Sequence, residues 1–141
     1  MKVQRDELLE AAFVALITAG ERMNRNVADF MKQWDVTGPQ YNALRILRGA
    51  DRHGKPSQRI ADDMISKVPD VTRLVDRLES AGLAERRTDP DDRRVVRVAI
   101  TVQGLALLDR IEGPIRDLHE HTLGRYSDAE LENIVDLLGG I

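Results

Sequence analysis

The chain contains no cysteine, so it has no disulfide framework, no thiolate for zinc and no thiol with which to sense peroxide. Aromatic residues fill only 4% of its 141 positions, which leaves Leu, Val, Ile and Ala to build the core that a 42% hydrophobic fraction allows. Long apolar runs are missing too. No stretch approaches the roughly 18 residues of a membrane span. Asp6, Glu7 and Glu10 interrupt the first twenty residues, where a secretory leader needs a clean apolar block. A soluble, cytoplasmic protein of one domain with no membrane partner is expected. Positive charge is not in excess either. The 21 Lys and Arg stand against 24 Asp and Glu, a balance that speaks against nucleic acid and makes the distribution of charge the deciding point.

Catalytic signatures are also lacking. No Ser-His-Asp set, Gly-rich phosphate loop or carboxylate pair offers a nucleophile or base, so no enzyme is expected. His119 and His121 lie two apart on a helical stretch and point to different faces. With His53 they find no clustered carboxylate, and exposed histidines are the better reading than a metal site. The DPDD segment opens like a calcium loop but lacks the glycine and the distal glutamate. Neither metal nor cofactor is expected.

What the chain does have is concentrated between Ser57 and Thr101. Ser57 is placed to cap a short helix, QRIADDMI, with Ile60, Ala61 and Met64 on one side. Ser66, Lys67 and Val68 make a turn, and VPDVTRLVDRLESAGL follows with Val71, Leu74, Val75 and Leu78 at i, i+3, i+4 and i+7. Asp70, Thr72, Arg73, Asp76, Arg77 and Ser80 fall on its other face, Pro69 sits in its first turn, and Gly82 ends it. Two helices joined so tightly cross steeply, as in a helix-turn-helix unit. The period then changes to two. Leu83 to Thr88 and Val95 to Ile100 read as strands around an Asp89 to Asp92 turn, with Arg93 and Arg94 near the tip of the hairpin. A polar helix beside a basic hairpin is a winged helix-turn-helix, suited to adjacent major and minor grooves of duplex DNA. The charge distribution agrees, since residues 45–97 hold 13 Lys and Arg against 10 Asp and Glu, and the rest 8 against 14.

Helical flanks enclose this unit. A long helix from about Arg5 to Lys32, bent near Gly20, carries Leu8, Leu9, Phe13, Leu16, Val27, Phe30 and Met31. Thr37 and Gln40 form a capping box for a helix bearing Tyr41, Leu44 and Leu47 that ends near Gly49. Thr101 caps a helix with Leu105, Leu107, Leu108 and Ile111, which Gly113 and Pro114 should kink or break before Ile115 and Leu118 resume it. Ser127 and Glu130 box a last helix with Leu131, Ile134, Val135, Leu137 and Leu138. The fold class is mainly α (α+β): a winged helix-turn-helix over 37–101, with helical dimerisation regions over 1–34 and 102–141. Long apolar stripes at both ends need burial, and a second copy of the chain supplies it.

The motifs VTGPQYNALRIL (36–47), IADDM (60–64), VTRLVDRLESAGLAERR (71–87) and DPDDRRVVRVAIT (89–101), followed by Gly104, occur in one order. In that order the chain resembles the MarR family of bacterial transcriptional regulators over nearly its whole length. The resemblance implies an obligate homodimer that binds a palindromic operator in double-stranded DNA and represses until a small aromatic or phenolic effector releases it. It places base reading on Lys67, Pro69, Asp70, Thr72 and Arg73, phosphate contact on Arg77, and the wing contact on Asp92, Arg93 and Arg94, with Asp92 orienting Arg94. The turn departs from the family: it reads MISKVPD where many members have a glycine and then Ser or Thr, so Ser66 is the expected cap and the contact register can slip by one. Asp70 either accepts from a cytosine amino group or favours the helix N-terminus. Phe30, Met31, Trp34 and Tyr41, near the junction of first helix and DNA lobe, either line an effector pocket or belong to the core. The alternative to a DNA reader is a winged-helix dimer acting through protein contacts.

Overall fold

The computed structural model describes residues 2–141; position 1 of the expected helical flank lies outside the described residues. The chain runs α1 (Lys2–Met31), a 3-10 turn (Lys32–Trp34), α2 (Gly38–Arg48), β1 (Lys55–Pro56), α3 (Ser57–Asp63), α4 (Val71–Ser80), β2 (Ala84–Thr88), β3 (Val96–Ile100), α5 (Val102–Leu123) and α6 (Asp128–Leu138). This is the mainly helical winged architecture expected. No helix among the described residues is long and apolar enough to cross a membrane.

The core forms where the apolar stripes of α2, α3, α4 and α5 meet the inner face of the sheet. Leu44, Leu47, Ile60, Val75, Leu78, Val98, Leu108 and Ile111 lie almost wholly out of solvent, together with Met31 from the end of α1. Leu105 departs from its expected place and stays exposed, the buried face of α5 being set by Leu107, Leu108, Ile111 and Ile115. Gly104 begins that face because a Cβ there would run into the Leu83 carbonyl oxygen.

The capping boxes at Thr37 and Ser127 form with both reciprocal bonds, and the Thr101 hydroxyl accepts from the Gly104 amide at 3.1 Å. Elsewhere three local expectations give way. Pro114 does not break α5, which runs through it from Val102 to Leu123. Burial of Ile111 and Ile115 on either side outweighs the local preference for a break. Ser57 is the first residue of α3 and makes no cap; Pro56 holds that place with extended backbone because it pairs with Arg97 in the sheet. Asp70, not Ser66, caps α4, accepting from the Arg73 amide at 3.0 Å, which leaves Pro69 outside the first turn.

The sheet has the order β1-β3-β2, antiparallel throughout. β2 and β3 pair Ala84 with Ile100, Arg86 with Val98, and Thr88 with Val96. The two-residue β1 has no alternating pattern to betray it, and its proline lies on an edge where a missing donor is tolerated.

Candidate nucleic-acid interface

Three elements meet at the polar face of α4. Leu74, Val75 and Leu78 turn inward, so Thr72, Arg73, Asp76, Arg77 and Ser80 are left exposed. The turn before α4 is longer than expected, since α3 stops at Asp63. Met64 is buried, Ile65 is 87% exposed, and the Ile65 amide donates to Asn42 Oδ1 at 2.9 Å. Lys67 reaches the Asp62 carbonyl at 3.4 Å, and Pro69 is exposed beside it. Asp70 is occupied by its cap. Between α4 and the start of α2 lies a groove of about 530 Å³, lined by Thr37, Pro39, Gln40, Val68, Pro69, Leu74, Arg73 and Arg77 among others.

The wing is fastened to α4 by Arg86. It lies on the same side of β2 as Ala84, opposite Val98, so its guanidinium must find partners under the sheet. Nη2 donates to Asp76 Oδ1 at 2.6 Å and Nη1 to Glu79 Oε1 at 3.0 Å, while the Arg86 amide donates to Glu79 Oε2 at 2.8 Å. Burial opposes charge on Arg86, but hydrogen bonds to Asp76 and Glu79 more than offset it, and the pKa is raised. Asp76 is thereby occupied on the protein side.

At the other end of the hairpin Asp92 takes Arg94: Oδ1 accepts from the Arg94 amide at 3.0 Å and from Nε at 3.1 Å, and Oδ2 from Nη2 at 3.2 Å. The Arg94 side chain is 90% exposed, and Arg93 is exposed beside it. The Arg94 side chain, then its amide, hold the Asp92 carboxyl below its ordinary pKa. Asp89 is also lowered, first by the Asp91 and Asp92 amides and then by Arg97. Lys55, 2.5 Å from Asp63, lowers that carboxyl as well and pins β1 to α3. The arrangement can present cations on two separately braced elements to a polyanion. Sequence reasoning did not single out Arg86 or Arg97 as part of this site. A charged residue alternating with Ala84 on a core-facing strand side was the available signal for Arg86.

The four residues weighed for an effector lie close in the chain but differ in burial. Met31 is fully buried in the core, whereas Phe30, Trp34 and Tyr41 are partly buried against it. Tyr41 carries the Arg45 guanidinium 5.9 Å from its ring centre. Trp34 Nε1 is buried without a hydrogen-bond partner, a donor left at a cost.

The sequence profile described as MarR family matches residues 36–96. The HTH-type transcriptional repressor IacR of Pseudomonas putida is 27% identical over 118 residues, covering 83% of this chain and 69% of that protein. Among solved structures, a MarR transcription factor from Planctomyces limnophilus is 37% identical, with 94% of this chain and 96% of that one covered and a TM-score of 0.73. BpsR of Bordetella bronchiseptica, whose DNA binding is regulated by 6-hydroxynicotinic acid, is 25% identical over 89% of each chain, with a TM-score of 0.78.

Proposed function

The chain belongs to the MarR family, and from that premise we propose that it is a homodimeric, sequence-specific DNA-binding transcriptional regulator of the cytoplasm, a repressor released by a small aromatic ligand. The observation that carries the DNA reading is the pairing of an exposed polar face on α4 with an exposed arginine tip, the two held together by Arg86. In this reading Lys67, Pro69, Thr72 and Arg73 face base edges in the major groove and Arg77 the phosphates, while Asp92 sets Arg94, with Arg93, toward a minor groove. Asp70 serves the helix N-terminus through its cap.

Residues 37–101 are then the DNA lobe and the flanking helices the dimer. Support for the second copy comes from apolar surface left in water: Leu8 is 69%, Phe13 66% and Leu137 73% exposed, and α6 buries none of its residues. With its apolar stripe in water, the thirty-residue α1 lacks over much of its length the tertiary packing from which most helical stability in proteins comes.

The effector reading rests on Trp34. Its Nε1–H has no partner, on a side chain that packs, like Phe30 and Tyr41, against the core that holds Met31, and such a donor suits an aromatic ring carrying an acceptor such as a carboxylate. BpsR responds to a ligand of that chemistry.

The test is a fluorescence-anisotropy titration against duplexes selected by the protein from a random pool, over a salt series, with unrelated DNA as control. Selective binding that weakens steeply with salt is the expected result. Equal, weak binding to both DNAs would overturn the reading and favour a wing that contacts protein. On the same complex, 6-hydroxynicotinic acid and salicylate serve as effector probes, with quenching of Trp34, the single tryptophan, as the readout. No quenching and no release by either would sink the effector proposal for those probes' chemistry.

A further inference from the structure

The direction of the wing-tip guanidinium traces back, bond by bond, to the backbone of the loop before β1. Gly54 has φ +78°, and a Cβ there would collide with the Val98 carbonyl oxygen, so no other residue fits and its peptide is held against β3. Arg97 Nη2 donates to the Gly54 carbonyl at 2.8 Å, and Nε to the His53 carbonyl at 3.3 Å. The third nitrogen, Nη1, donates to Asp89 Oδ2 at 3.1 Å. Asp89 Oδ1 accepts from the amides of Asp91 at 2.8 Å and Asp92 at 3.0 Å, which shapes the wing turn. Asp92 in turn grips Arg94 through both carboxylate oxygens.

Burial falls along this path. The Arg97 and Asp89 side chains are 22% and 14% exposed, whereas Arg94 stands in solvent. A two-stranded ribbon is marginally ordered by itself, and a free arginine gives up rotamer entropy when it docks. A tip held in place before it meets a ligand avoids part of that loss.

We propose that Arg97 is a positioning residue for Arg94, acting through Asp89 and Asp92 to set how the wing presents its guanidinium. Three acceptors in three directions require a planar fork, so lysine cannot replace it. The functional consequence rests on the wing being a DNA reader, but the ordering of the tip does not.

The test uses both halves. Because the chain lacks cysteine, Asp91→Cys offers a unique position for a nitroxide label at the exposed turn, where the native residue contributes only its amide to the relay. Arg97→Gln and Arg97→Lys should each make the label markedly more mobile without DNA. Circular dichroism of each variant confirms that it is folded, and Asp89→Asn gives an independent break in the same path. In anisotropy titrations against a duplex selected from a random pool, Arg97→Gln and Arg94→Ala should each weaken binding about tenfold, and the double variant by no more. An unchanged label spectrum in folded variants, or losses that multiply to about a hundredfold, would overturn the proposal. Were the unsubstituted protein to select no duplex, the DNA reading would fail, and the label spectra alone would decide whether Arg97 orders the tip.

Discussion

Arg86 on β2 and Asp76 on α4 meet at 2.6 Å across the joint between wing and helix. Glu79, one turn further along α4, grips both the side chain and the amide of the same arginine. One residue thus ties together the two elements proposed to enter neighbouring grooves.

Replacing Arg86 by Ala leaves Asp76 and Glu79 facing each other without their cation. Since the arginine is mostly shielded and its partners partly exposed, a loss of about 1–2 kcal/mol in folding stability is expected. Urea titration followed by circular dichroism measures it. DNA affinity should also fall, although Arg86 itself is placed away from DNA; an unchanged affinity would mean that the joint does not set the geometry of binding.

Arg73→Glu and Arg94→Glu put a carboxylate where a guanidinium is proposed to face DNA. Each should weaken selective binding at least about a hundredfold and flatten the dependence on salt by about one unit of slope for every phosphate no longer neutralised. Sedimentation should find the assembly unchanged. Retained affinity in either variant would remove that residue from the interface.

Phe13→Asp and Leu137→Asp place charges on the apolar surfaces of α1 and the end of α6. If those surfaces join two copies, light scattering should find twice the chain mass for the unsubstituted protein and a shift toward single chains for the variants. A monomeric unsubstituted protein would overturn the dimer.

Asp63, Asp89 and Asp92 all have lowered pKa values, through Lys55, through backbone amides, and through Arg94 respectively. A carboxyl whose pKa is lower folded than unfolded adds stability above its ordinary range, and that contribution disappears as pH falls through the folded value. The midpoint of urea unfolding should therefore begin to drop below about pH 5 and go on falling as pH passes down through and below the ordinary carboxylate range. Asp89→Asn should be less stable at neutral pH and show a shallower fall. An Asn variant with the full acid sensitivity would show that Asp89 contributes none of it.

Much of this fold is legible in the chain because its signals are local. The stripe Leu74, Val75 and Leu78 repeats at helical spacing, and both capping boxes lie within four residues of sequence. The hairpin is announced by a change of period around a turn rich in Asp. Of the proposed interface, the exposed face of α4 follows from the same short-range logic, whereas the pairing of Asp92 with Arg94 was legible only through the resemblance to the family.

By itself, then, the sequence determined the order of elements, their polar faces and the place of the wing, since each depends on residues within a turn or two of one another. Only the tertiary structure decided what crosses long intervals. It carried α5 unbroken through Pro114, because the core on either side outweighs the local cost, and it paired Lys55 and Pro56 with β3 across some forty residues. It also chose the partners of Arg86 and Arg97. Pairings between residues far apart in the chain leave no periodicity to read; they exist only once packing removes water from both groups and leaves each the other's nearest source of hydrogen bonds.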